Sequence, residues 1–73
     1  MLQDARKASG LSQGQLAEKS GVNVRMIQYY EQGVRDIDGV KLSTLVDLAM
    51  ALECSISDIV SDDLKKKLKK VTL

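Results

Sequence analysis

Apolar side chains recur along this chain at helical spacing, and no stretch alternates with a period of two for long enough to form a strand. The pattern predicts five helical segments. The first covers about Leu2 to Ser9, with Leu2 and Ala5 facing inward. The second starts at Ser12, whose hydroxyl caps it while Gln15 reaches back as in a capping box; it turns Leu16 and Ala17 inward and stops before Gly21. The third starts at Asn23 as its cap and ends near Gln32. The fourth covers about Val40 to Leu52, and its apolar residues at 42, 45, 46, 48, 49, 50 and 52 make it the most buried, the anchor of the core. A fifth region begins near Ser55 or Ser57 and restarts at Ser61, placing Leu64, Leu68 and Val71 on one stripe. With no proline, glycine punctuates: Gly10, Gly21, Gly33 and Gly39 stand where the pattern stops, positions at which a positive φ costs least.

The link between the second and third helices is only Gly21, Val22 and Asn23. So short a turn forces two helices to cross steeply, burying one face of the second and pushing its opposite face outward. At about 100° per residue, Met26, Ile27 and Tyr30 fall on one apolar face. The other face collects Val24, Arg25, Gln28, Tyr29 and Gln32. Arginine pairs bidentately with guanine and glutamine with adenine, valine meets the thymine methyl, and a tyrosine hydroxyl reaches phosphate or a base edge. Val24 is equally an ordinary exposed first-turn residue, and Tyr29 is left outside because its neighbour Tyr30 takes the core position.

Composition narrows the function classes. Seventy-three residues make one small domain, and the absence of phenylalanine and tryptophan disfavours a sandwich or barrel. With no histidine, a single cysteine and no glycine-rich phosphate loop, no catalytic dyad is visible, so no enzyme, metal site or cofactor is expected. Cys54 reads as a small core hydrophobe. The start Met1-Leu2-Gln3-Asp4 lacks the regions of a signal peptide and no apolar run spans a bilayer, so a cytoplasmic protein with no membrane contact is expected. The net charge of +1 hides zones: five basic residues against three acids over 1–35, one lysine against seven acids over 36–63, and five lysines with no acid over 64–73. The lysine run reads as a solvated face near a helix C-terminus, with nucleic-acid contact as the other reading.

The pattern Ser12-Gln13-x-x-Leu16-Ala17-x-x-x-Gly21-Val22-Asn23-x-x-x-Ile27-x-x-Tyr30-Glu31-x-Gly33-x-Arg35 resembles the helix-turn-helix of Cro/C1-type (lambda-repressor-like, XRE family) DNA-binding domains. It continues through Leu42, Leu45, Leu48, Ala49, Ala51 and Leu52 to Ser55, Ile56, Asp58 and Ile59. The resemblance implies an all-α, compact five-helix bundle whose third helix enters the major groove, with a domain over 1–60 and a lysine-rich helical extension over 61–73. It implies that Gln13 contacts phosphate or a base edge, that Asn23 holds the backbone at the cap of the third helix, that Val24, Arg25, Gln28 and Tyr29 face the bases, and that Arg35 approaches phosphate. It also implies an architectural pair between Arg6 and Glu31. The sequence departs from the family at Asp36-Ile37-Asp38, where a proline-bearing loop is usual. These carboxylates either repel the phosphate track or sit at the start of the fourth helix, where its dipole favours them.

The expected function is a sequence-specific regulator of transcription, a repressor by occupancy, on double-stranded DNA. One copy reads only about 4 to 6 base pairs, so a homodimer on a palindromic operator is expected. Its contact is expected from the stripe Leu64, Leu68 and Val71, which could equally fold back on its own core. The alternative function is an antitoxin-like or other protein-binding module on the same fold, motivated by the acidic zone.

Overall fold

The computed structural model describes residues 1–71. Five α-helices follow in order: α1 Leu2–Ser9, α2 Gln13–Ser20, α3 Val24–Gln32, α4 Leu42–Leu52 and α5 Asp62–Leu68. Single 3-10 turns at Ile37–Gly39 and Ile56–Asp58 connect α3 to α4 and α4 to α5. No strand occurs among the described residues, so the fold is all-α, as expected. Leu16 of α2, Ile27 of α3, Leu48 of α4 and Ile59 of the last loop are fully buried, and Leu2, Tyr30, Leu45 and Val60 close around them. Each large aliphatic side chain so buried contributes about 1.5–3 kcal/mol of transfer free energy. The core therefore draws on α1 to α4 and the loop before α5, with α5 packed against it through half-buried Leu64 and Leu68.

Several boundaries differ from the sequence expectation. Helix α4 starts at Leu42, because the chain at Val40 and Lys41 is extended, and Gly39 lies within a 3-10 turn without a left-handed φ. The left-handed residue that ends α4 is instead Glu53, with φ 54°. As expected, α4 holds more buried residues than any other helix, but not every apolar position on it turns inward. Leu42, Val46 and Met50 are exposed, because only the side carrying Leu45, Leu48, Ala49 and Leu52 has a layer to pack against.

Asp36 and Asp38 do not lie in the first turn of α4. The Asp36 carboxylate accepts the Asp38 backbone N–H at 3.0 Å, capping the 3-10 turn. Asp38 accepts the Ser61 backbone N–H at 2.9 Å and also the Ser61 hydroxyl. Ser61 in turn caps α5, its Oγ accepting the Leu64 N–H at 3.2 Å. One serine thus starts the last helix and pins it to the loop before α4. Leu64 and Leu68 pack against the core, so the stripe expected to make a dimer folds back on its own chain; Val71 is exposed. The last two positions of the expected 61–73 extension lie outside the described residues. No helix among the described residues is long and apolar enough to cross a membrane.

Candidate nucleic-acid interface

The sequence rules that place α3 can be followed atom by atom. The Ser12 hydroxyl accepts the Gln15 N–H at 3.0 Å and the Gln15 carbonyl oxygen accepts the Ser12 N–H at 2.8 Å, a reciprocal capping box that fixes the start of α2. At its end Gly21 adopts φ 78° and donates to the Ala17 carbonyl at 2.9 Å. A side chain at Gly21 would be strained in this left-handed conformation, although no neighbouring atom stands in its way. Val22 donates to the Ser20 hydroxyl at 3.1 Å, and the Asn23 amide oxygen accepts the Arg25 N–H at 2.8 Å, opening α3. Ile27 and Tyr30 are buried and Met26 is half-buried, so the opposite face of α3 turns away from the core.

That outward face carries the expected residues. Val24 and Arg25 are exposed, while Gln28 and Tyr29 are half-buried. Among the described residues neither Arg25 nor Arg35 forms an ion pair, so both guanidinium groups keep their donors free for a partner. Asn23 is exposed, but its amide oxygen is committed to the cap, which leaves the amide nitrogen. Arg35 follows Gly33, whose φ of 77° ends α3, and the Arg35 backbone N–H returns to the Tyr29 carbonyl at 3.2 Å. It lines a shallow depression with Tyr30, Lys41 and Thr44. Lys41 is a cation that the sequence pattern did not single out.

Behind the face lies a buried polar knot. Arg6 Nε donates to Glu31 Oε2 at 2.7 Å and Arg6 Nη2 to Glu31 Oε1 at 3.0 Å, the pair that the resemblance implied. Arg6 Nη1 also donates to the Leu11 carbonyl at 2.9 Å. The two side chains are only 12 % and 2 % exposed, so the fork joins α1, the α1–α2 loop and the end of α3 inside the protein. Burial opposes the charge on Glu31, but the hydrogen bonds from Arg6 and Gln13, together with the positive charges of Arg6 and Lys7, outweigh it and hold its carboxyl below the usual range. The hydrogen bond to Glu31 correspondingly raises the Arg6 pKa.

Gln13 belongs to this knot, its Nε2 donating to Glu31 Oε1 at 3.1 Å. A carboxylate only accepts, so the amide must turn its NH₂ toward Glu31 and its carbonyl away. Sequence spacing gave no sign of this bond, which links residues 18 apart. The knot leaves Gln13 half-buried, with its carbonyl and one N–H for outward contacts.

No group of metal-ligating side chains gathers among the described residues. Cys54 is a half-buried free thiol, and burial raises its pKa, as fits a packing role. No curated protein and no solved structure shows significant similarity to the chain. The helix-turn-helix family pattern, however, matches residues 2–59, a span that runs from the start of α1 through the loop after α4 and takes in the capped turn, the outward face and the knot. The chain belongs to the Cro/C1-type helix-turn-helix family of DNA-binding regulators.

Proposed function

We propose that the protein is a sequence-specific repressor that binds double-stranded DNA as a homodimer and inserts α3 into the major groove. The observation that carries the reading is the outward face of α3, which presents Val24, Arg25, Gln28 and Tyr29 from a helix whose other side is locked into the core. In this reading Arg25 pairs with a guanine and Gln28 with an adenine. Val24 and Tyr29 contact a thymine methyl and a neighbouring base edge or phosphate. Gln13 and Asn23 present amide groups to the backbone or a base edge at the near ends of α2 and α3, and Arg35 meets a phosphate beyond the end of α3. The protein acts by occupancy, in the cytoplasm, without a cofactor or catalysis.

Two half-sites one helical turn apart supply the specificity that one short helix lacks. Selection from randomised duplexes at two salt concentrations tests the proposal. A repeated half-site with twofold symmetry, enriched at both salts, is the expected result. Enrichment of no sequence, or binding that vanishes uniformly as salt rises, would rule out base reading and favour a protein partner for the exposed acids Asp36, Asp47 and Glu53.

A further inference from the structure

Helix α4 ends in a way its own chain does not explain. Leu42, Val46 and Met50 are 62, 37 and 71 % exposed and follow one another at intervals of four residues. They form a single row about 12 Å long. The other exposed large apolar side chains, such as Met1 and Val34, lie elsewhere in the sequence and form no such row on one helix. The charges at the ends of α4 are also inverted. Lys41 stands at its N-terminus with no side-chain cap, and Glu53 stands just past its C-terminus. A helix dipole favours the opposite arrangement. Helices α1 and α5 obey that preference, with Asp4, and Asp62 and Asp63, in their first turns and basic residues in their last.

Both features are resolved by an antiparallel copy of the same helix. We infer that the row Leu42, Val46 and Met50 is the homodimer surface, two copies of α4 packing antiparallel about a twofold axis near Val46. This rests on the homodimer proposed above and assigns its surface. In that arrangement Val46 meets Val46 of the second copy and Leu42 meets Met50 of the second copy, an isologous contact. Lys41 comes beside the C-terminal end of the other helix, near Glu53 of the second copy, and the relation repeats at the opposite end. Each misplaced charge thus meets the dipole end and the counter-charge it lacks within its own chain.

The exposed area of three such side chains is on the order of 300 Å² per copy, against about 800 Å² per partner in a standard stable interface. The free dimer is therefore weak, and two adjacent half-sites strengthen it by holding the copies together.

The test is cross-linking of the full chain in a Cys54→Ser background with a short bismaleimide, at about 100 μM protein and without DNA. Val46→Cys is expected to give at least tenfold more covalent dimer than Gln3→Cys, an exposed position on α1. Leu42→Cys and Met50→Cys are expected to give little adduct singly and to cross-link when mixed. Lys41→Glu or Glu53→Lys in the Val46→Cys chain should each lower the yield, and the two together should restore it. Adduct from Val46→Cys no higher than from Gln3→Cys, or self-linking of Leu42→Cys in preference to the mixture, overturns the inference. Binding of each variant to a single half-site duplex is measured separately. Half-site binding absent already in the Cys54→Ser parent while Val46→Cys still cross-links would refute the role of α3 and leave the α4 surface standing; half-site binding kept without cross-linking would refute the surface alone.

Discussion

Helices α3 and α4 are built alike on the inside and oppositely on the outside. Each turns fully buried aliphatic residues toward the core, Ile27 in α3 and Leu48 in α4. Outward, α3 shows an arginine, a glutamine and a tyrosine, whereas α4 shows Leu42, Val46 and Met50. Inner faces are interchangeable in kind, because an aliphatic side chain gains about the same from leaving water wherever it does so. Outer faces are not. A polar face with free guanidinium and amide groups suits the grooved edge of base pairs. An apolar row gains nothing from that surface and suits another apolar row.

Substitutions can break this comparison on either side. The largest effects should come from the inner faces: Ile27→Ala and Leu48→Ala are each expected to cost about 3–4 kcal/mol in urea unfolding, through lost transfer energy plus a cavity. For a domain this small that is most of the total stability. A markedly smaller loss at either position would mean that the two inner faces are not equivalent.

Next comes the knot behind α3. Arg6→Ala should cost about 3 kcal/mol, because it leaves the Glu31 carboxylate buried without its counter-charge. The pH dependence follows from the same pair. Glu31 titrates lower in the folded protein than in the unfolded chain. Its contribution is therefore complete above the unfolded value of about 4.3 and is lost as pH falls through the folded value. Urea midpoints should drop as pH falls below about 4.3, and Glu31→Gln should flatten that part of the profile while lowering stability at pH 7. A profile unchanged by Glu31→Gln would assign the acid sensitivity to other carboxylates.

Smaller effects separate the outer faces. Arg25→Ala and Gln28→Ala should each weaken the selected duplex by about 1–3 kcal/mol while moving stability by less than about 0.5 kcal/mol. Met50→Ala, on the outer face of α4, should also leave stability within about 0.5 kcal/mol and leave half-site affinity unchanged. Fluorescence anisotropy with a labelled duplex and urea unfolding measure the two quantities. Substantial unfolding by Met50→Ala would show that the row belongs to the core after all.

How far the sequence reveals all this depends on the range of the interaction. Ser12, Asn23 and Ser61 were legible as caps because a cap is decided within three residues. The two faces of α3 were legible because its polar and apolar residues separate cleanly on the wheel. Helix α4 was not, since a row of apolar residues on an otherwise apolar helix looks buried until the packing layers are known. The roles of Asp38, which holds Ser61, and of Glu31 toward Gln13 join residues 23 and 18 positions apart, beyond any local pattern. Glu53 in a left-handed conformation has no local signature, because glycine is the residue that ordinarily marks that geometry.

The most direct test of the central claim compares Arg25→Ala with the unaltered chain on the selected duplex and on a scrambled duplex, each at two salt concentrations. Base reading by α3 predicts that specific affinity falls by about 5- to 150-fold, while scrambled-duplex affinity and its salt slope change little. An equal fall on both duplexes, with the salt slope reduced by about one phosphate contact, would make Arg25 a backbone contact and contradict the reading.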